Sequence, residues 1–218
     1  MSRNVKLVRH APMADAPLVV LNCFGDEGEA VASELDGIVD FSYSLLAVTV
    51  SDWNISLSPW TAPSVFKGEP DFGDGADEYI NELVKDIVPA ARASNDLKPG
   101  AVYIAGYSMA GLFALYSLYK TDFFTGCASC SGSLWFPGFP GFVSEHEFVS
   151  SSPAVYLSLG DREAKTKNPV MATVEDKTRG ISECYKAKGY DVFFEMNQGG
   201  HFNDPALRTA KGIKWLLK

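Results

Sequence analysis

Five short runs in this chain, Leu18 to Asn22, Leu45 to Ser51, Ala101 to Ala105, Ala154 to Leu159 and Asp191 to Met196, are mostly apolar and do not alternate with polar residues. A strand with one face in water alternates; a strand covered on both faces does not. Longer stretches of helical period lie between and after these runs. Ala76 to Ser94 carries Tyr79, Ile80, Leu83, Val84, Ile87 and Val88 at helical spacing, Leu112 to Tyr119 and Val170 to Lys188 follow, and Pro205 to Lys218 presents one apolar stripe. Strands alternating with helices predict stacked βαβ units: an α/β fold with a mostly parallel central sheet and helices on both faces. No internal repeat or linker-like shift in composition interrupts this pattern, so residues 1–218 are expected to form a single domain.

The composition, 46% hydrophobic and 21% charged over 218 residues, suits a globular domain with its own core. A formal net charge of -8 has the wrong sign for attracting phosphate backbones or anionic lipid, which argues against nucleic-acid and membrane partners. Met1 to Pro17 lacks the apolar core of a secretory signal, and no run is long enough to cross a bilayer, so a cytoplasmic protein is expected. The four cysteines are then reduced. Cys127 and Cys130 have redox or zinc spacing, but one pair supplies half of a tetrahedral site, and they fall in a small-residue, strand-like run that reads as core.

Chemistry enters at Gly106-Tyr107-Ser108-Met109-Ala110-Gly111, between a buried strand and an apolar helix. A serine hydroxyl attacks a carbonyl only when it is held exposed on a tight turn beside a base, and a strand, nucleophile, helix elbow provides that setting. Ser108 is the expected nucleophile; Ala110 stands where the strict motif has glycine. Of three histidines, His10 precedes the core strands and His146 sits among acidic residues, whereas His201 follows the last long strand in Gly199-Gly200-His201. That is the place of the base in the chain order serine, acid, histidine. The acid should leave the end of the strand Ala154 to Leu159, where Asp161 and Glu163 both qualify and spacing does not choose. The Met109 amide, directly after the nucleophile, is an expected oxyanion donor. Two long irregular stretches, from Trp53 to Gly75 and from Leu134 to Phe148, are rich in aromatics; Trp53, Trp60, Trp135 and Phe136 are expected to wall a binding site, with Trp60 and Trp135 as substrate contacts.

The ordered series Leu21-Asn22-Cys23-Phe24-Gly25, Ser58-Pro59-Trp60, the Ser108 elbow, Ser131-Gly132-Ser133-Leu134-Trp135, Gly160-Asp161-Arg162-Glu163 and Gly199-Gly200-His201 resembles the putative-esterase branch of the α/β-hydrolases, which includes esterase D-like, enterochelin-esterase-like and feruloyl-esterase-like enzymes. The resemblance implies an α/β-hydrolase fold with a minimal lid or none. It carries the triad acid over to Glu163, with Asp161 in reserve, and the second oxyanion donor to the Phe24 amide, with Cys23 its neighbour. Family members often have His-Gly in that loop where this chain has Asn22-Cys23.

A serine esterase working through Ser108, His201 and Glu163 by an acyl-enzyme is therefore expected, with no metal or organic cofactor. Its partner would be a small-molecule acyl ester, short-chain or carbohydrate-linked; an enterochelin-like trilactone fits the acidic composition less well. Acyl transfer on the same triad, and a non-catalytic hydrolase fold that only binds, are the alternatives. Oligomeric state is left open.

Overall fold

The computed structural model describes residues 3–150 and 152–218. Seven strands form one sheet in the order β1-β3-β2-β4-β5-β6-β7. They are β1 (Asn4–Arg9), β2 (Leu18–Cys23), β3 (Ser44–Thr49), β4 (Val102–Tyr107), β5 (Gly126–Cys130), β6 (Ala154–Gly160) and β7 (Asp191–Asn197). Every neighbouring pair is parallel except β1 with β3. The apolar runs all become strands within a residue or two of their expected limits. β2 is buried along its whole length, which is why it shows no alternation.

Several elements were hidden in the sequence, and two of them show why. β1 is an edge strand whose first residues are exposed, so Asn4, Lys6 and Arg9 replace the apolar signal of an inner strand. α6 (Phe139–Glu145) lies inside a stretch expected to be irregular. Its start is marked by Gly138 in the left-handed region and Pro140 in the first turn, two residues that read as loop when taken singly.

Helices cover both faces. On one, α1 (Glu27–Asp36) and α8 (Pro205–Leu216) bring Val31, Leu35, Ala210 and Ile213 against the sheet. The other face carries the short α2 (Trp53–Ser56), α3 (Ala76–Glu82), α4 (Val88–Ser94), α5 (Met109–Ser117), α6 and α7 (Val174–Ala187). α3 and α4 are the single helix expected over 76–94, joined by a π turn, Leu83–Ile87. Pro89 has no N–H to give, and just before it the Val88 amide reaches back five residues to the Leu83 carbonyl. The run Val170 to Lys188 begins with a 3₁₀ turn, Met171–Thr173, before α7. Cys127 and Cys130 stand three apart on β5 and so project to opposite faces, one into each core cluster. They cannot meet in one disulfide or metal site, and burial pushes the Cys130 thiol up to about 12. Among the described residues no helix is long and apolar enough to cross a membrane.

Candidate active site

The carboxyl ends of β2, β4, β6 and β7 converge at one edge of the sheet, where an open parallel sheet gathers its functional loops. β4 ends at Tyr107, and Ser108 turns the chain into α5 with φ 59° and ψ -123°. A serine with positive φ is strained, and it is held because its amide donates to the Cys130 carbonyl (3.1 Å) while its own carbonyl accepts from Ser133 (3.0 Å). Gly106 is obligatory here: a Cβ would stand 2.4 Å from the backbone of Ala110. The departure from the strict glycine pattern is thus accommodated, since the Ala110 methyl occupies space that Gly106 leaves empty.

The Ser108 hydroxyl lies 3.1 Å from His201 Nε2, and His201 Nδ1 lies 2.7 Å from Glu163 Oε2. Ser133 Oγ is a further neighbour of the Ser108 hydroxyl at 3.4 Å. Glu163 is held by its other oxygen, on which the Ser131 hydroxyl (2.7 Å), the Gly160 amide (2.7 Å) and Arg208 Nη1 (3.2 Å) all converge. Burial raises the pKa of this carboxyl, but the hydrogen bonds from His201 and Ser131, the His201 charge and the Gly160 amide outweigh it, and the net shift is downward. Glu163 is therefore ionised near neutrality and only accepts. The bond to His201 then requires the proton on Nδ1, which leaves Nε2 with a lone pair toward Ser108.

Asp161 takes a different part. Its Oδ1 accepts the Gly199 amide at 2.8 Å, pinning the glycine loop that delivers His201. Gly160 and Gly199 pack so closely that a Cβ on Gly160 would meet the Gly199 carbonyl at 2.3 Å. The two carboxylates that spacing left open differ in what they touch: Glu163 reaches the imidazole and Asp161 reaches the backbone.

Arg208 was not among the expected site residues. It is 2% exposed, and its guanidinium donates to Glu163, to the Ser131 and Tyr107 hydroxyls, and to the Gln198 carbonyl (2.9 Å). The Tyr107 hydroxyl donates in turn to the His201 carbonyl at 2.6 Å. One buried cation thus braces the acid directly and the histidine's backbone through Tyr107. Nothing in the sequence signalled this, because Arg208 stands two residues from both Ala206 and Ala210 and so lies off the apolar stripe that they form with Ile213.

The two expected oxyanion donors follow the ends of the neighbouring strands β4 and β2. Met109 opens α5, so its amide has no acceptor within the helix, and Phe24 follows directly on β2. Trp60 and Trp135 do not come to the site. Trp60 packs among Tyr116, Phe136, Phe139 and Phe142, with its indole N–H on the Pro137 carbonyl at 2.9 Å. Trp135 is 5% exposed and packs on Phe66 and Phe72. The two aromatic stretches bury each other, since large apolar rings brought together by two adjacent loops gain more by mutual packing than by facing water. Trp53 does border the site, its ring edge-to-face with Phe24 at 5.4 Å. His10 and His146 lie on the surface, each with a ring nitrogen on a backbone carbonyl.

A cavity of ≈ 400 Å³ opens beside Ser108 and His201. It is lined by Leu21 and Cys23 of β2, Ala30 and Val31 of α1 and Ala206 of α8.

A mostly parallel sheet, a strained nucleophile elbow, and a serine, histidine and glutamate joined by hydrogen bonds define the class of the α/β-hydrolase serine esterases. The sequence profile of the Putative esterase family matches residues 45–202, the greater part of the chain. The chain belongs to this family. The uncharacterized protein YbbA of Bacillus subtilis (strain 168) is 23% identical over 136 residues, 61% of this chain and 54% of the relative. The chain thus matches about half the length of that curated relative. Among solved structures, the IroE-like serine hydrolase from Shewanella oneidensis superposes with a TM-score of 0.80 at 16% identity, over 99% of this chain and 75% of that one. The siderophore hydrolase EstA from Aspergillus nidulans gives a TM-score of 0.77 at 18% identity, over 99% and 89%. The enterobactin esterase FES from Shigella flexneri gives 0.70 at 17%, over 98% and 54%. At these identities the likeness is one of fold.

Proposed function

We propose that the chain hydrolyses small-molecule carboxylic esters through a triad of Ser108, His201 and Glu163. The observation that carries this reading is the unbroken line from Ser108 Oγ to His201 Nε2 (3.1 Å) and from His201 Nδ1 to Glu163 Oε2 (2.7 Å). His201 Nε2 takes the proton as Ser108 Oγ bonds to the ester carbonyl carbon, and the carbonyl π pair moves onto oxygen. The amides of Met109 and Phe24 stabilise that oxyanion. Collapse expels the alkoxide, which leaves as the alcohol with the proton from His201. Water then attacks the acyl-enzyme, gives its proton to His201, and releases the acid as Ser108 recovers its hydrogen. Glu163 keeps the imidazole in the required tautomer and offsets the charge of the imidazolium.

The neighbours named as siderophore and enterobactin esterases act on small molecules, in keeping with a small-molecule substrate here. A carbohydrate-linked acyl ester is supported by Trp53 alone, because Trp60 and Trp135 are committed to packing. We place the reaction in a single domain in the cytoplasm, in keeping with four unpaired cysteines.

The test is turnover of a nitrophenyl ester together with labelling by a fluorophosphonate. Wild type should do both, and Ser108→Ala should do neither while keeping its circular dichroism spectrum. Undiminished turnover in Ser108→Ala would remove the assignment; absence of labelling in wild type would favour a fold that only binds.

A further inference from the structure

The cavity beside Ser108 has few polar anchors to offer. The Glu27 carboxylate already accepts the Gly25 amide (2.7 Å), the Thr209 hydroxyl donates to the Pro205 carbonyl (2.8 Å), and the Tyr107 hydroxyl is committed to His201. Asn22 contributes little inside: it lies between Leu21 and Cys23 on β2, so its side chain projects to the opposite face, where its Oδ1 accepts from Tyr79. No Lys or Arg is among the described residues that line the cavity, and Glu27 is its one carboxylate.

The rim is as apolar as the interior. Phe24 is 66% exposed and Phe202 91%, both line the cavity with Ser108, and Phe202 meets the His201 ring edge-to-face at 5.2 Å. Two phenylalanines held in water at the mouth of an apolar chamber are what a ligand with its own apolar surface would cover.

We infer that the chamber between α1 and α8 is the acyl subsite, and that it takes an uncharged, medium-length aliphatic acyl chain in preference to a short, a polar or an anionic one. This rests on the esterase reading above. The chain would run from the carbonyl at Ser108 along Phe24, Phe202, Leu21 and Cys23, all of which line the chamber. A free carboxylate on the acyl group would meet Glu27 with no cation to offset it. Each methylene fully removed from water is worth about fourfold in affinity, so a few added carbons should dominate selectivity until the chamber is full.

The experiment compares nitrophenyl acetate, butyrate, octanoate and hemiglutarate. In wild type, kcat/KM should rise by at least about tenfold from acetate to octanoate, with the hemiglutarate below butyrate. Ala206→Phe and Ala30→Phe place a ring at the chamber from α8 and from α1, at positions that are not buried, so the fold can bear them. Each should lower the ratio of octanoate to acetate kcat/KM by tenfold or more, and Glu27→Gln should raise the ratio of hemiglutarate to butyrate. Calorimetry on Ser108→Ala gives a readout independent of chemistry: the octanoate ester should bind at least tenfold tighter than the acetate. A flat chain-length profile, or ratios unmoved by both phenylalanine variants, overturns the subsite while leaving the esterase intact. Hydrolysis retained in Ser108→Ala with the binding preference present overturns the esterase mechanism and leaves the subsite.

Discussion

Replacing Glu163 with glutamine tests the site through hydrogen positions alone. Oε1 of Glu163 receives three donors, from Ser131, Gly160 and Arg208, while Oε2 receives one, from His201. A glutamine amide has one oxygen and one NH₂ group, and the NH₂ cannot face three donors. The oxygen must therefore take the Oε1 position, which turns the NH₂ toward His201 Nδ1. That nitrogen then has to accept, so the imidazole proton moves to Nε2 and points at Ser108, where a lone pair is needed. A triad locked in this wrong tautomer loses about 10⁴ in kcat. The same change leaves the 2% exposed Arg208 facing a neutral group. Breaking a buried ion pair costs about 3–5 kcal/mol, and the retained carbonyl acceptor places this case near the lower figure. For a chain of this size the melting temperature should fall by roughly 6–12 °C. The assay is steady-state hydrolysis of nitrophenyl butyrate beside thermal unfolding, with Asp161→Asn in parallel. Asp161→Asn should stay within about tenfold of wild type, because its partner is the Gly199 amide and an asparagine oxygen can still accept that bond. Activity of Glu163→Gln within tenfold of wild type, or an equal collapse in Asp161→Asn, would refute the reasoning.

Three further outcomes follow from the packing and the charges. Because the Glu163 pKa is lowered on folding, its contribution to stability is complete above the ordinary glutamate pKa of about 4.3 and fades as pH falls through the lower folded value; Arg208→Met, which removes a cation 3.2 Å from the carboxylate, should move that loss to higher pH in thermal unfolding followed across the acidic range. Gly106→Ala should prevent soluble expression, since its Cβ would overlap the Ala110 backbone, whereas Ala110→Gly should fold and lose about 1 kcal/mol in a denaturant titration. Trp135→Ala should cost about 3–5 kcal/mol of stability with the KM for nitrophenyl esters unchanged, as expected of a core ring remote from the acyl chamber.

Much of this arrangement was legible in the chain itself, for identifiable physical reasons. Inner strands such as β2 lack alternation because both faces are covered, and that signal survives in a single sequence. Ser108 and His201 stood out because few residues could occupy an elbow and a glycine loop at strand ends. Glu163 could be separated from Asp161 only by resemblance or in three dimensions, since both lie within reach of one short turn and differ in which way they point. Trp60 and Trp135 misled because a ring's value as a ligand wall or as core depends on what lies against it, and their partners Phe142 and Phe72 are remote in sequence. Arg208 passed unnoticed because a buried charge resembles a surface one until the acceptors around it are known.

The position of Arg208 on α8 ties assembly of the site to the last helix described. The elbow, the acid and the histidine all precede α8 in chain order, yet the guanidinium that braces two of them arrives only with that helix, as does one wall of the acyl chamber. The brace on Glu163 and on the His201 backbone is therefore complete only when α8 has docked on the sheet.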